Sequence, residues 1–464
     1  LAVEIKYKKI IEPLESILKA RDQRAILKGQ IALKGLPSLS LSLNVPGFPK
    51  SNSVVRTFFQ SCLLDLKFTL NAHRIDIHEK EAITACDATG DFYLVPFSMD
   101  HLSLAEIKQI CEDFEEKHPL GRFIDVDLND QQGNTFSSGK SKVCFFCRER
   151  PAIECRREKA HDFAELRSFM FTEMAEYGRK QREKRISKKL SSLAQQAILA
   201  EISLTPKPGL VDRFNSGSHA DMNYQTFIDS TAAISPWFGD LVREGFAFQE
   251  DDLTQALPRL RQIGLKMESA MFEATENVNT QKGIIFLMGL SLFACGKLFS
   301  NNNHFQAEEF RGIIKGICRD LVQNEMGNIS LSGKSHGEKM FLKYGFSGAR
   351  GEAESGFSTV FNFGLPELIQ AGKFYDESLI KSFLAIAANN NDTNILFRSN
   401  SEVLNRFKNL CRIAWEDFNT ENYTAVIDVC KQENISPGGS ADLLAVTIFV
   451  WSVIQADEQK HFTL

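Results

Sequence analysis

Hydrophobic positions recur at two different periods along this chain, and the change of period divides it. In LSLSLNV (39–45) apolar and polar residues alternate strictly, which predicts a half-buried strand. DFYLVPF (91–97) reads as a second strand, and RFIDVDL (122–128) alternates again. Between Ser103 and Lys117, the residues Leu104, Ile107, Cys111 and Phe114 fall at helical spacing. Ser103 and Glu106 make a capping box at the start of that helix. The first half is therefore expected to be α/β or α+β.

Beyond residue 189 the alternation disappears. Leu190, Leu193, Ala194, Ala197 and Ile198 form one helical stripe, and further helices are expected over 283–299, 401–418 and 441–455. This half reads as all-α, so the chain is multidomain. The join is RKQREKRISKK (179–189), with seven basic residues and one acid. It reads as a solvated helix or linker, or else as a phosphate- or RNA-binding segment. The expected organisation is a domain over 1–178, a basic linker over 179–189 and a helical domain over 190–464.

Composition then narrows the class. The 464 residues are 43% hydrophobic and 24% charged, which supplies ample core and excludes global disorder. A net charge of −5 gives the whole chain no nucleic-acid signature. Ten cysteines are too sparse for a disulfide scaffold. The first thirty residues carry charges throughout, without the apolar core of a signal peptide. The apolar runs 283–296 and 443–456, about 14 residues each, are short for a bilayer and read as buried core helices. The expected setting is the cytoplasm, with neither a membrane nor a nucleic acid as partner.

Several clusters carry chemistry. Asp125 and Asp127, two apart on a strand, share one face, while Ile124, Val126 and Leu128 point into a core. Two adjacent carboxylates suit Mg²⁺ and phosphoryl transfer, or they are simply a solvated strand face. Cys144, Cys147, Cys155 and His161 can complete a tetrahedral Zn²⁺ site, or they are buried free thiols beside a histidine. In the second half, TPKPGLVDRFNSGSHADMN (205–223) supplies Lys207, Asp212, His219 and Asp221 on a stretch that cannot be regular. NVNTQKG (277–283) places Asn279 and Lys282 before an apolar helix, with Thr280 as its expected N-cap. GARGEAESGF (348–357) offers Arg350, Glu352 and Glu354, and NDTNILFRSN (391–400) offers Asp392 and Arg398. SPGGSADLLAVTIF (436–449) reads as a glycine-rich turn that bares amides to phosphate at Ser436, Gly438 and Gly439. Ser440 is its expected N-cap, and Asp442 is expected to share Mg²⁺ with a phosphate.

These segments resemble two known families in one chain. From Leu190 onward the motifs resemble triphosphoribosyl-dephospho-CoA synthase, the CitG family. From Leu14 to about Met174, the segments SLSLNVPGFPK, HPLGRFIDVDL and the cysteine cluster resemble apo-citrate lyase phosphoribosyl-dephospho-CoA transferase, the CitX family. Transferase before synthase resembles the fused CitXG arrangement. The resemblance implies two consecutive reactions. ATP and 3′-dephospho-CoA would give 2′-(5″-triphosphoribosyl)-3′-dephospho-CoA and adenine. Phosphoribosyl-dephospho-CoA would then pass to a serine of the citrate lyase acyl carrier (gamma) subunit, releasing pyrophosphate.

Breaking an N-glycosidic bond calls for a carboxylate and an acid. Asp212, His219, Asp221, Glu352 and Glu354 can supply these, and Lys207, Lys282, Arg350 and Arg398 with Mg²⁺ can hold the triphosphate. Asn279, Asp392, Ser436, Gly438, Gly439 and Ser440 are taken as substrate contacts. Asp125 and Asp127 would serve the transfer, with Arg122 binding substrate beside them. This chain departs from the family at Gln281, where a histidine is usual, and at Ser399-Asn400, where two glycines are usual. A non-catalytic, zinc-stapled scaffold that docks the carrier is the rival reading, and an RNA nucleotidyltransferase is a third.

Overall fold

A computed structural model of the chain describes residues 2–137, 142–327, 336–373, 376–459 and 462. The chain divides into two compact units, residues 1–182 and 183–464. The first holds α1 (Ala2–Ala32), β1 (Ser38–Leu43), α2 (Ser53–Ala72), β2 (Ile83–Asp87), β3 (Gly90–Pro96), α3 (Leu104–Lys117), β4 (Ile124–Asn129), β5 (Thr135–Phe136) and α4 (Ala152–Arg157). A long helix, α5 (Phe163–Ser203), follows.

The strands form one antiparallel sheet in the order β2-β3-β1-β4-β5. Register sets Leu41 between Tyr93 and Val126, and Ser42 opposite Asp125. One face carries Leu39, Leu41, Val95 and Val126, packed against Phe58, Phe59 and Leu66 of α2 and Ile107 of α3. The capping box at Ser103 and Glu106 is present.

The expectation of a half-buried β1 needs correction. Ser38 and Ser40 are only 1% and 3% exposed, because β1 is central and the second face is also covered. There Ile31 of α1 packs with Phe92 and Leu94. Serine is small enough to lie beneath that cover, so the alternation located the apolar face but did not reveal a lid over the other.

The second unit is helical: α6 (Tyr224–Ile234), α7 (Phe238–Ala247), α8 (Ala256–Ala274), α9 (Lys282–Asn301), α10 (Ala307–Ile317), α11 (Leu321–Met326), α12 (His336–Tyr344) and α13 (Gly348–Glu354). Then come α14 (Leu365–Ala371), α15 (Asp376–Asn389), α16 (Thr393–Arg398), α17 (Ser401–Glu416), α18 (Thr420–Gln432) and α19 (Gly438–Glu458). The apolar runs form α9 and α19, which are long and apolar enough to cross a membrane; 78% of each apolar window is buried within the protein.

Three boundaries differ from expectation. The N-cap of α9 is Gln281, and the Thr280 hydroxyl instead donates to Ser230 Oγ (2.8 Å). α19 begins at Gly438, so Ser440 lies inside its first turn, and Asp392 Oδ2 receives the Ser440 N–H (2.7 Å) from outside the helix. The basic run 179–189 is part of α5, which continues unbroken to Ser203 with Ile186 and Leu190 buried.

Candidate active sites

The helical unit encloses a cavity of about 430 Å³. Four of the five second-half motifs reach it. The first contributes Lys207, His219 and Asp221; the second, Asn279, Gln281, Lys282 and Gly283; the fourth, Arg398; the fifth, Ser436, Gly438 and Asp442. Glu201, near the end of α5, also lines it.

Glu201 and Lys207 are buried where they line this cavity. Lys207 Nζ donates to Glu201 Oε1 at 2.6 Å. Asp442 sits beside this pair in the first turns of α19, its carboxyl packed on Gly283; a Cβ added at Gly283 would overlap Asp442 Oδ2. Burial, then Glu201 and Asp392, push the Asp442 carboxyl well above its ordinary range. Ionising this carboxyl beside a second acid is costly, which favours the protonated form of Asp442.

The rim is cationic. Lys282 Nζ pairs with Glu268 (2.8 Å), and Asn279 Oδ1 accepts the Lys282 N–H (3.3 Å). Arg398 donates to Ser218 O (2.7 Å) and to His219 Nδ1 (3.2 Å). Arginine can only donate, so Nδ1 accepts and Nε2 carries the proton it gives to Ser436 Oγ (2.9 Å). Burial, then Arg398, hold the His219 imidazole below its ordinary value, against Asp221 at 3.8 Å. His219 is thus held in its neutral form between Arg398 and Ser436. Gln281 is buried and bonded to Ser230 Oγ (2.7 Å) and Thr231 Oγ1 (3.0 Å).

Other expected site residues lie outside the lining. Asp212 is buried and organises its own loop, accepting from the N–H groups of Phe214 (2.8 Å), Asn215 (3.0 Å) and Lys207 (3.2 Å). Asp392 caps α16 and holds Ser440, with Gly439 packed against it. Arg350 donates to Glu325 (2.7 Å), which Arg261 also grips. Glu352 is turned to Thr359, accepting from its N–H (3.1 Å) and hydroxyl. Glu354 does not line the cavity.

In the sheet-bearing unit, Asp125 and Asp127 share one face of β4, with side chains 36% and 42% exposed. Each faces a lysine: Lys142 Nζ is 3.3 Å from Asp125 and Lys28 Nζ is 3.9 Å from Asp127. Lys142 also bridges to Glu115 (2.8 Å). Burial, then Asp125, raise the Asp127 carboxyl above its ordinary value. The Arg122 guanidinium donates to Val143 O (2.9 Å from Nε).

Cys144, Cys147, Cys155 and His161 place their ligand atoms within 4.8 Å of one another. They are the only group of three or more His, Cys, Asp or Glu ligands gathered this way among the described residues. Cys147 Sγ lies 3.7 Å from Cys155 Sγ. Zn–S bonds of about 2.3 Å make the edge of a tetrahedron about 3.8 Å. His161 Nε2 is buried with no hydrogen-bond partner. Backbone N–H groups of Glu149 and Arg150 lower the Cys147 thiol to about 6.

Comparison with known proteins decides the family. Residues 187–461 match the model for the CitG family, ATP:dephospho-CoA triphosphoribosyl transferase. Residues 12–177 match that for the CitX family, apo-citrate lyase phosphoribosyl-dephospho-CoA transferase. A protein named Protein CitXG from Haemophilus influenzae is 31% identical over 474 residues, covering 95% of this chain and 96% of its own. Protein CitXG from Leuconostoc mesenteroides subsp. cremoris is also 31% identical, over 89% of this chain and 90% of its own. A 2-(5''-triphosphoribosyl)-3'-dephosphocoenzyme-A synthase from Pectobacterium atrosepticum is 39% identical, covering 54% of this chain and 84% of its own.

The chain belongs to the fused CitXG family. It is a bifunctional transferase that makes and attaches the prosthetic group of citrate lyase. The cavity lies within the CitG match, and the acidic pair and the cysteine cluster lie within the CitX match. Glu201 escaped the sequence reading because it is one of five glutamates in a long helix. Its only signal is Lys207, six residues on and past a proline.

Proposed function

We propose that the helical unit performs the pentosyl transfer in its cavity, on ATP and 3′-dephospho-CoA. The supporting observation is the convergence of four separated motifs on one cavity. The bond between adenine and the ATP ribose breaks, and the 2′-hydroxyl oxygen of dephospho-CoA bonds to the same carbon. Asp442, which keeps its proton, delivers it to the departing adenine. Asp221, 64% exposed at the rim, accepts the proton of the hydroxyl. Lys282 and Arg398 hold the triphosphate, which is not cleaved in this step. Asp442 acts in this reading as an acid rather than as the Mg²⁺ ligand expected from the sequence, because a protonated carboxyl binds a cation poorly.

The sheet-bearing unit then transfers phosphoribosyl-dephospho-CoA to a serine of the citrate lyase acyl carrier subunit. The serine oxygen bonds to the α-phosphorus and pyrophosphate leaves. Asp125 and Asp127 are the residues that would hold Mg²⁺, an ion content with two carboxylates and substrate oxygens. It would offset charge on the phosphates. Lys28 and Lys142 neutralise the carboxylates otherwise. Cys144, Cys147, Cys155 and His161 fit Zn²⁺ and would staple residues 144–161. A reducing, cytoplasmic setting suits those free thiols.

The test is incubation with ATP, dephospho-CoA, Mg²⁺ and apo-carrier, following adenine, pyrophosphate and carrier mass. All three should change. No adenine would overturn the synthase reading and leave a carrier-docking scaffold. Adenine without carrier modification would overturn the transferase reading.

A further inference from the structure

Val126 stands between Asp125 and Asp127 on β4, and β5 pairs only with Leu128 and Asn129 of that strand. Side chains of α3 close the strand edge at Val126. Glu115 Oε1 accepts the Val126 N–H (2.7 Å), and Lys108 Nζ donates to the Val126 carbonyl (3.0 Å). The second Glu115 oxygen accepts from Lys142 Nζ (2.8 Å). Only 10% of the Glu115 side chain is exposed. One withdrawn carboxylate therefore fixes both the backbone between the two acids and an ammonium beside them.

The backbone that carries Lys142 is also fastened. The Lys142 carbonyl accepts the Ala152 N–H (2.8 Å), and the next carbonyl, of Val143, accepts from Arg122. Cys144 follows, the first residue of the cysteine cluster, and its N–H donates to Arg150 O (2.8 Å). The Lys142 side chain stays reachable, 41% exposed against 18% for Lys28 beside Asp127. An ammonium has three N–H donors. Those of Lys142 reach Glu115 and Asp125, and among the described residues they meet no third acceptor. The Asp125 contact is the longer, at 3.3 Å, and a cation at the acidic pair would take it over.

We propose that Lys142 is a catalytic residue of the transfer, binding the phosphates that leave as pyrophosphate, and that Glu115 is its positioning residue. This rests on the reading that the transfer takes place at Asp125 and Asp127. The serine oxygen bonds to the α-phosphorus, and its proton passes to water. The bond from that phosphorus to the bridging oxygen breaks, and the electron pair stays on the pyrophosphate. A donor held there gains strength as that charge grows, so it lowers the barrier beyond what it adds to binding. A lysine suits the task as a compact charge with rotatable donors.

Pyrophosphate binding to the full chain in Mg²⁺ buffer, by titration calorimetry, tests this. The parent carries Lys282→Ala and Arg398→Ala so that the synthase cavity does not report. Lys142→Met should weaken binding about tenfold or more, as expected for a hydrogen bond to a charged group. Lys142 is exposed, so its replacement leaves the fold intact. In otherwise wild-type protein Lys142→Met should lower kcat for carrier modification more than it raises KM for the triphosphoribosyl donor, with adenine release unchanged. Glu115→Gln can still accept the Val126 N–H, and it should reproduce that split in a folded protein. An unchanged kcat in Glu115→Gln would overturn its positioning role. Folded Lys142→Met protein that binds pyrophosphate as tightly as the parent would overturn the site. Weakened binding in a protein that modifies no carrier would support the site while removing the transferase reading.

Discussion

Lys207 Nζ lies 2.6 Å from Glu201 Oε1, with only 3% and 10% of the two side chains exposed. Both charges are largely withdrawn from solvent. Removing one partner leaves the other as an uncompensated buried ion, which costs about 3–5 kcal/mol. Lys207→Met should therefore lower the melting temperature sharply. Lys207→Met with Glu201→Met should recover much of that loss, because no charge is stranded. Adenine release should stay absent in the double variant. Calorimetry and an adenine assay on the same samples check both parts. A double variant no more stable than the single would show that the pair is not the source of the loss.

Asp442→Asn should fold and lose adenine release by roughly 10²–10⁴, the usual contribution of a positioned acid. The pH behaviour follows from the direction of the shift. The folded-state value is raised, chiefly by burial. Its contribution to stability is therefore full below the ordinary carboxylate value and is lost as pH rises through the folded-state value. Asn cannot ionise, so the variant should lack that loss as pH rises above the ordinary carboxylate value. Melting curves from acid to alkaline pH, wild type against variant, measure the difference.

Asp125→Asn and Asp127→Asn should each abolish carrier modification and leave adenine release unchanged, so the triphosphoribosyl intermediate accumulates. There is a further signature. Asp125 contributes to the raised value of Asp127, second to burial. In Asp125→Asn the Asp127 carboxyl should titrate at lower pH than in wild type, as carboxyl carbon NMR would show. An unchanged titration would mean that the two carboxylates do not sense each other.

Protein purified without added metal should contain about one zinc per chain. Replacing zinc with cobalt should give the visible absorption of a tetrahedral thiolate site. Cys155→Ser and His161→Ala should each lower the metal content and the melting temperature of the sheet-bearing unit. Metal-free protein with undiminished stability and carrier transfer would leave four side chains that merely pack together.

The parts of this molecule that were legible in its sequence are those where one local rule decides. Period two gave β1 and β4, the run DFYLVPF was legible as β3, and the capping box gave α3. Runs without charge gave α9 and α19. The polar loops gave most of the cavity rim, since ionisable residues on irregular backbone have few structural uses. What stayed hidden depends on partners distant in sequence. Glu201 matters only because the chain returns Lys207 and Asp442 to it. Asp392 and Ser440 read as substrate contacts, yet they satisfy each other at 2.9 Å. Arg350 reads as a cation for the triphosphate, yet it pairs with Glu325. The cover that α1 gives the sheet has no stripe to announce it, because its face meets serines and carboxylates as well as apolar residues.

Gly283 supplies no atom to the chemistry, yet Asp442 rests where a side chain at 283 would be. The proposed proton donor is thus positioned by an omission on a different helix. Positions 283 and 442 should behave as one genetic unit. In a library randomised at both, any residue larger than glycine at 283 should survive only with a shortened residue at 442, and such survivors should be folded but silent in adenine release.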